Sequence, residues 1–371
     1  MNNLLLQSEN IIGLNYLLNN LDLSGKIDLV YIDPPFATGN NFTITNGRAT
    51  TISNSKNGKI AYSDKLKGED FIDFLRQRLI LLKELLSDKG SIYLHIDYKI
   101  GHYVKVLMDD IFGNDNFRND ITRIKCNPKN FDRIGYGNIK DMILFYSKTK
   151  NPIWNEPRES YSDKDIDVLF PKKNSDGRRY TTVPIHAPGE TQNGNSNKPF
   201  KGKLPPVGRH WRVDIDTLEK WNKDGLIEWS TTGNPRKIIY EDEREGKRVQ
   251  DIWEFKDPQY PSYPTEKNQD LLNLIIKTSS NQDSFVLDCF CGSGTTLKAA
   301  NELGRKWIGI DKSDEAIKAS IIKLKNTKED LFASNRSYNF INLTKMEFNS
   351  DENMISQNEK VLIESELELI L

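Results

Sequence analysis

Apolar positions fall into two blocks, one at each end of the chain, in which short apolar runs alternate with helix-period segments. In the first block, Ile27-Asp28-Leu29-Val30-Tyr31-Ile32 is an apolar run halted at Asp33-Pro34-Pro35, the pattern of a buried strand stopped by prolines. Over residues 69–87, Phe71, Phe74, Leu75, Leu79, Leu82, Leu85 and Leu86 recur at three-to-four spacing, which predicts an amphipathic helix closed before Gly90. Residues 91–96 read as a second strand and 103–112 as a second helix. The later block repeats the alternation: strand 285–287, helix about 295–303, strand 307–310, and helix about 314–325 with Ser313 as its N-cap. Strands alternating with helices predict an α/β fold, a mostly parallel sheet with helices on both faces.

Between the blocks, over about 150–260, the periodicity breaks down. Pro, Gly and Asn crowd into the stretch 186–211, and only hairpin-like pieces at 225–230 and 237–240 stand out. An inserted, loop-rich module is expected there. No internal repeat of fixed period is present. Residues 331–371 show no clear pattern; 359–371 read as a short acidic helix or a mobile tail.

Composition narrows the class. At 371 residues, with 37% hydrophobic and 28% charged positions, the chain is long enough to bury a large core without disulfides or a structural metal. Its start lacks the basic, apolar pattern of a signal peptide, and no apolar run reaches the roughly 18 residues of a membrane span. Three cysteines, an odd number, suit a reducing compartment, so a cytoplasmic protein is expected. The net charge of -1 conceals an asymmetry: residues 118–213 carry 19 Lys+Arg against 10 Asp+Glu, whereas residues 346–371 carry one Lys and seven acids. A basic central segment is the composition of a polyanion-facing surface.

Two short segments carry candidate chemistry. Asp288-Cys289-Phe290-Cys291-Gly292-Ser293-Gly294-Thr295 follows one predicted strand and opens a helix. Its glycines permit close backbone approach to a ligand, and the helix start offers free N–H groups. Asp311, 23 residues after Asp288, ends the next strand, where a carboxylate reaches a ribose hydroxyl. The glycine spacing is neither the dinucleotide fingerprint nor a P-loop, which sets a nicotinamide oxidoreductase aside. Asp33-Pro34-Pro35-Phe36 is a rigid elbow at a strand's carboxyl end. It displays a carboxylate, a bare carbonyl at Pro34 and an aromatic ring, a set that matches an exocyclic amino group on a flat heterocycle. Cys289 and Cys291 lack nearby ligand partners, so no metal site is expected. His95, in an alternating strand, reads as a packed residue rather than a base.

Together these segments resemble the β class of S-adenosylmethionine-dependent DNA amino-methyltransferases, over about residues 8–320. Phe290–Gly294 is similar to that family's F-x-G-x-G cofactor loop, and Asp33–Phe36 to its D-P-P-[YF] catalytic motif. Tyr263-Pro264-Thr265-Glu266-Lys267 resembles the H-P-T-[QE]-K element, with Tyr where His is usual. Ser8-Glu9-Asn10 stands where Gly-Asp-Asn is usual. GRRY at 177–180, PPVGRHW at 205–211 and Asp224-Gly225-Leu226-Ile227 with Trp229 resemble the adenine methylases of type III modification subunits.

The resemblance implies a Rossmann-like methyltransferase sheet divided as 1–150 (catalytic half), 151–260 (target-recognition module), 261–328 (cofactor half) and 329–371 (extension with acidic tail). It implies Asp33, Pro34, Pro35 and Phe36 as catalytic residues. Glu9, Asn10, Thr265, Lys267, Asp288, Phe290, Cys291, Gly292, Ser293, Gly294, Thr295 and Asp311 are the implied S-adenosylmethionine contacts. Arg178, Arg179, Arg209, His210 and Arg212 are candidate contacts to double-stranded DNA, in which the target base must flip out to reach the site. A cognate restriction endonuclease and a homodimer are further expected partners, in a bacterial cytoplasm near the nucleoid. The expected activity is N6-adenine methylation; Asp rather than Ser before Pro-Pro sets it above N4-cytosine methylation. A catalytically silent nucleic-acid-binding subunit of the same fold is the alternative from another class.

Overall fold

The apolar runs pair into one nine-stranded sheet. Numbered in chain order, its strands are β1 (Asn3–Gln7), β2 (Ile27–Ile32), β3 (Leu86–Ile96), β4 (Phe117–Ile124), β5 (Lys140–Ser147), β6 (Ile252–Trp253), β7 (Phe285–Asp288), β8 (Lys306–Asp311) and β9 (Tyr338–Asn342). They lie side by side in the order β6-β4-β5-β3-β2-β7-β8-β1-β9. Only β5 is antiparallel to its neighbours; every other pairing is parallel. This computed structural model describes residues 2–35, 41–45, 48–50, 59–63, 68–128, 130, 132, 134–189, 195–259, 261, 266–325 and 337–345, with the backbone alone over 41–63.

Burial explains the two-sided architecture. Leu4, Leu6, Val30, Ile32, Ile92, Leu94, Leu287, Ile308 and Ile310 share one apolar cluster with Leu14, Leu17, Phe71, Leu75, Leu79 and Val104. The intervening strand residues Leu5, Leu29, Tyr31, Tyr93, Val286 and Trp307 point the other way and are just as deeply buried. Strands buried on both faces need a layer of helices on each. Helices α1 (Asn10–Asn19), α2 (Glu69–Leu85) and α3 (Tyr98–Phe112) pack in series, as do α4 (Gln269–Ser279), α5 (Thr295–Glu302) and α6 (Asp314–Lys325). Among the described residues, no helix is long and apolar enough to cross a membrane.

Two elements start earlier than their patterns suggest. Strand β3 begins at Leu86, directly after α2, because Leu86 pairs with Ile27 ahead of an irregularity in the β2–β3 register. Helix α3 begins at Tyr98, where Asp97 accepts a hydrogen bond from the Lys99 amide at 2.9 Å and caps the helix. The first turn, Tyr98-Lys99-Ile100-Gly101, breaks the apolar periodicity that marks the rest of the helix.

The chain forms two compact units, Met1–Pro157 with Gln250–Leu371, and Arg158–Val249. The first extends past the sheet at both junctions. The Asn155 side chain donates to the carbonyls of Lys277 and Ser280, both at 2.9 Å, and the Thr122 amide donates to Asp251 at 2.9 Å. The second unit has a four-stranded sheet in the order Lys172–Lys173, Arg179–Pro184, Pro235–Tyr240, Ile227–Trp229. A two-stranded ribbon, His186–Pro188 with Arg209–Trp211, is anchored on a small core of Ile185, Phe200, Trp211 and Leu218. The tail residues 346–371 lie outside the described residues.

Candidate active site

Leu29 and Val30 of β2 pair with Val286 and Leu287 of β7, so the two motifs emerge side by side at the carboxyl edge of the sheet. At the tip of β2, Asp33 is mostly buried, and its Oδ2 lies 2.5 Å from the Lys267 ammonium. Its Oδ1 is buried and accepts no hydrogen bond from any described residue. A buried carboxylate oxygen without a donor is costly unless something else supplies one. Pro34 is buried beside it and Pro35 half-buried; Phe36 lies outside the described residues.

Beneath this elbow runs a buried polar chain. The Tyr31 hydroxyl lies 2.9 Å from His95 Nδ1, and His95 Nε2 lies 3.2 Å from Asp141 Oδ2. Lys125 donates to Asp141 Oδ1 at 2.5 Å, and Arg123 bridges Asp141 (3.5 Å) and Asp257 (2.6 Å). Burial holds the His95 pKa below its ordinary value, so the ring is neutral near pH 7. Burial works against ionisation of Asp141, but hydrogen bonding from His95 and the Lys125 charge hold its carboxyl below the usual range. With the proton on Nε2, His95 donates to Asp141 and accepts from Tyr31. The chain ties β2, β3, β4 and β5 together directly under Asp33.

The turn after β7 is held from within. Asp288 accepts from the Phe290 amide at 3.0 Å and from the Thr296 hydroxyl at 2.6 Å, so each carboxylate oxygen is engaged in shaping the turn. Burial pushes its pKa up to about 7. Burial likewise raises the Cys289 and Cys291 thiols, which pack as apolar side chains. Gly292 and Gly294 have φ of 51° and 76°, and a Cβ on Gly294 would sit 2.7 Å from Ser320 Oγ. Gly294 starts α5 without any side-chain cap. The Ser293 and Thr295 hydroxyls accept from Lys323 at 2.9 and 2.8 Å, and Lys323 also pairs with Glu266 at 2.5 Å. Burial lowers the Lys323 pKa.

Asp311, at the tip of β8, accepts from the Gly292 amide at 2.9 Å and from the Ser313 amide at 3.0 Å. Its carboxylate bridges the two strand tips, and burial raises its pKa. Glu9 caps α1 through the Ile11 amide at 2.7 Å and pairs with Arg78 at 2.6 Å. Arg78 also donates to Asn10 at 2.5 Å and lies 3.5 Å over the Phe74 ring, which in turn packs on Phe290. Asn10 reaches the Cys289 carbonyl at 3.4 Å.

Glu9, Asn10, Asp288, Phe290, Cys291, Gly292, Ser293, Gly294, Thr295 and Asp311 therefore converge on one turn. Lys267 instead lies against Asp33, and Thr265 lies outside the described residues. Cβ-free positions, an uncapped helix start and carboxylates at the tips of β8 and α1 fit a nucleoside-bearing cofactor. Arg78, Lys323 and the Tyr31–His95–Asp141 chain are absent from the sequence-level site. Arg78 had a signal, a lone cation on the apolar face of α2 between Phe74, Leu75, Leu79 and Leu82. Lys323 had none beyond its place in the last turn of α6.

In the second unit, Arg178 forms a bidentate pair with Asp242 at 2.9 and 2.7 Å, and Arg179 pairs with Asp167 at 2.7 Å. His210 is half-buried and bonds the Gly189 carbonyl at 2.7 Å, while Arg209 and Arg212 are exposed. Among the described residues, no group of three or more His, Cys, Asp or Glu could hold a metal ion.

The doubly wound sheet, with a glycine turn and a carboxylate elbow at adjoining strand tips, defines a Rossmann-like methyltransferase fold. Residues 27–323 match the N6/N4 DNA methylase family, and the chain belongs to it. The type II methyltransferase M.EcaI of Enterobacter cloacae is 42% identical over 303 residues, covering 80% of this chain and 64% of that protein. The probable type III HindVI Mod subunit of Haemophilus influenzae is 25% identical over 396 residues, covering 87% of this chain and 50% of that one. The chain thus spans between half and two thirds of the length of these relatives. The crystal structure of an M1.HpyAVI–SAM complex aligns over 86% of this chain and 98% of that one, at 16% identity and a TM-score of 0.46.

Proposed function

We propose that this protein methylates the N6 amino group of adenine in double-stranded DNA, using S-adenosylmethionine. The observation that carries the reading is Asp33 Oδ1, a buried acceptor without a donor among the described residues, one strand away from the glycine turn. An exocyclic amino group offers two N–H donors. Asp33 Oδ1 accepts one and the Pro34 carbonyl the other, while Lys267 holds Oδ2 and so fixes which oxygen faces the base. Drawing both hydrogens into these acceptors frees the nitrogen lone pair from conjugation with the ring. Phe36 would stack on the flipped base.

Gly292, Gly294, Asp311 and Glu9 would hold the cofactor, which supplies an electrophilic methyl group on sulfonium when bound. The methyl would pass from sulfur to nitrogen, one S–C bond breaking as the N–C bond forms, and Asp33 would take the released amine proton. Asp33 before Pro-Pro favours adenine over the N4 group of cytosine. The names of the relatives support a restriction–modification setting, and a cognate endonuclease and a homodimer belong to the same proposal.

Modification-aware sequencing of DNA from a methylation-free host expressing the chain, beside an Asp33→Ala control, tests the reading. Methyl-adenine at one short motif, absent in the control, is the expected outcome. Methyl-cytosine would move the substrate, and unmodified DNA beside a folded, cofactor-binding protein would overturn the catalytic assignment.

A further inference from the structure

The arginines of residues 158–249 are not equivalent. Arg158 meets Glu245 at 3.4 Å, and Arg178 and Arg179 meet Asp242 and Asp167 at 2.7 Å. Arg209 and Arg212 form no ion pair with a carboxylate among the described residues, and both reach His186. Arg209 Nη1 donates to His186 Nδ1 at 3.1 Å, and Arg212 Nε donates to the His186 carbonyl at 3.2 Å. Arg236, in the four-stranded sheet, differs: Glu228 stands opposite it on the paired strand, and it donates to the Thr182 hydroxyl at 2.8 Å and to its carbonyl at 2.6 Å.

Two like charges at close quarters repel, and among the described residues only neutral acceptors hold Arg209 and Arg212 in place. Each guanidinium has five N–H donors, of which these bonds use one or two. The remaining donors on Arg209 and Arg212 face solvent. His186 adds no carboxylate-like relief: burial, and then the charges of Arg209, Arg212 and Arg236, keep its pKa down. It remains neutral and serves as an acceptor. The platform is rigid, because Trp211, opposite His186 on the ribbon, is buried and donates to the Lys198 carbonyl at 3.0 Å. A preset pair of guanidinium forks, Arg209 and Arg212, with no carboxylate ion pair among the described residues, matches tetrahedral oxyanions.

We propose that Arg209 and Arg212, both bonded to His186, form a site for backbone phosphates of duplex DNA, an inference that rests on the DNA-modifying function above. Arg178 and Arg179, already neutralised, lie outside this site, and so does His210, whose ring bonds the Gly189 carbonyl rather than His186.

The test measures the affinity of the full chain for a fluorescent DNA duplex across about 50 to 200 mM salt. Each lost phosphate contact lowers the slope of log K against log salt by about 0.9, so R209Q/R212Q should lower it by about 1.8. R209K/R212K restores the charges and should restore the slope, whereas the charge-neutral R178Q/D242N should leave it unchanged. A wild-type slope in R209Q/R212Q would overturn the phosphate site and leave the methylation reading standing. Loss of slope in R209K/R212K as well would mean the arginines serve only the fold. A wild-type chain that neither binds duplex nor methylates DNA would remove the functional reading, and the site with it.

Discussion

Replacing Lys267 with Met tests the geometry on which the proposed chemistry depends. The ammonium lies 2.5 Å from Asp33 Oδ2, and the two side chains are only 10% and 15% exposed. At an effective dielectric of about 20, the gross attraction at that separation is roughly 7 kcal/mol, most of which offsets desolvation of the two ions. Removing one partner leaves Asp33 buried with neither oxygen satisfied, since Oδ1 has no donor among the described residues. The expected cost is about 3 kcal/mol, or a melting temperature roughly 6 to 12 °C lower for a unit of this size. Losing the fixed carboxylate orientation should also lower kcat about 100-fold, with a smaller change in KM for DNA. The double variant D33N/K267M removes both charges, so most of the stability should return while activity stays lost. Calorimetry and single-turnover methylation read both effects. A K267M protein that melts within a degree of wild type and keeps its kcat within a factor of about two would refute the argument.

Three further outcomes follow from the same edge. Asp288 has its pKa raised from 3.8 to about 7, so the folded state holds a proton that the unfolded chain has released. Its contribution is therefore full below pH 3.8 and is lost as pH rises through about 7. D288N, which cannot ionise, should gain stability over wild type at pH 8, by an amount on the order of 4 kcal/mol, and urea titrations at pH 5 and 8 should show the difference growing with pH. R78M should cost about 3 kcal/mol and weaken S-adenosylmethionine binding, because Glu9 and Asn10 lose their shared buried partner; isothermal titration checks this. G294A places a Cβ 2.7 Å from Ser320 at a φ of 76° and should lower cofactor affinity at least tenfold, with S320G restoring part of it.

The strands and helices of the two blocks were legible because burial imposes a period. Strands of the central sheet are covered on both faces, so β2 and β8 read as continuous apolar runs, and α2 shows its buried stripe. The start of α3 was hidden because its first turn carries Lys99 and Gly101 rather than a periodic apolar set. Strand β9 was hidden because Tyr338-Asn339-Phe340-Ile341-Asn342 sits at the sheet's edge, where one partner strand suffices and polar residues intervene. In the site, glycines and prolines announce backbone shape, so the two motifs could be read locally. Arg78, Lys323 and His95 act through partners dozens of positions away, and no local pattern encodes such a partner. Side-chain charge says still less about availability: Arg178 and Arg209 look alike in sequence, yet one is bound to Asp242 and the other is not.

The dipeptide Glu266-Lys267 shows how the two halves of the site are kept in step. Lys267 reaches the carboxylate elbow after β2, while Glu266 reaches Lys323, whose ammonium also holds Ser293 and Thr295 of the glycine turn. Neighbouring residues of opposite charge thus reach two partners of opposite charge, one in each motif. Either pairing alone would anchor this segment; both together tie the elbow to the turn through side chains, beside the backbone pairing of β2 with β7. That relation is what a transfer reaction needs, because donor and acceptor must meet within a fraction of an ångström. It also gives a physical reason for a charged pair to stand ahead of α4: its register, one residue to each partner, ties the carboxylate to the cofactor turn. A one-residue slip would set Glu266 against Asp33, two buried carboxylates face to face, so the sequence spacing of this pair is itself part of the site.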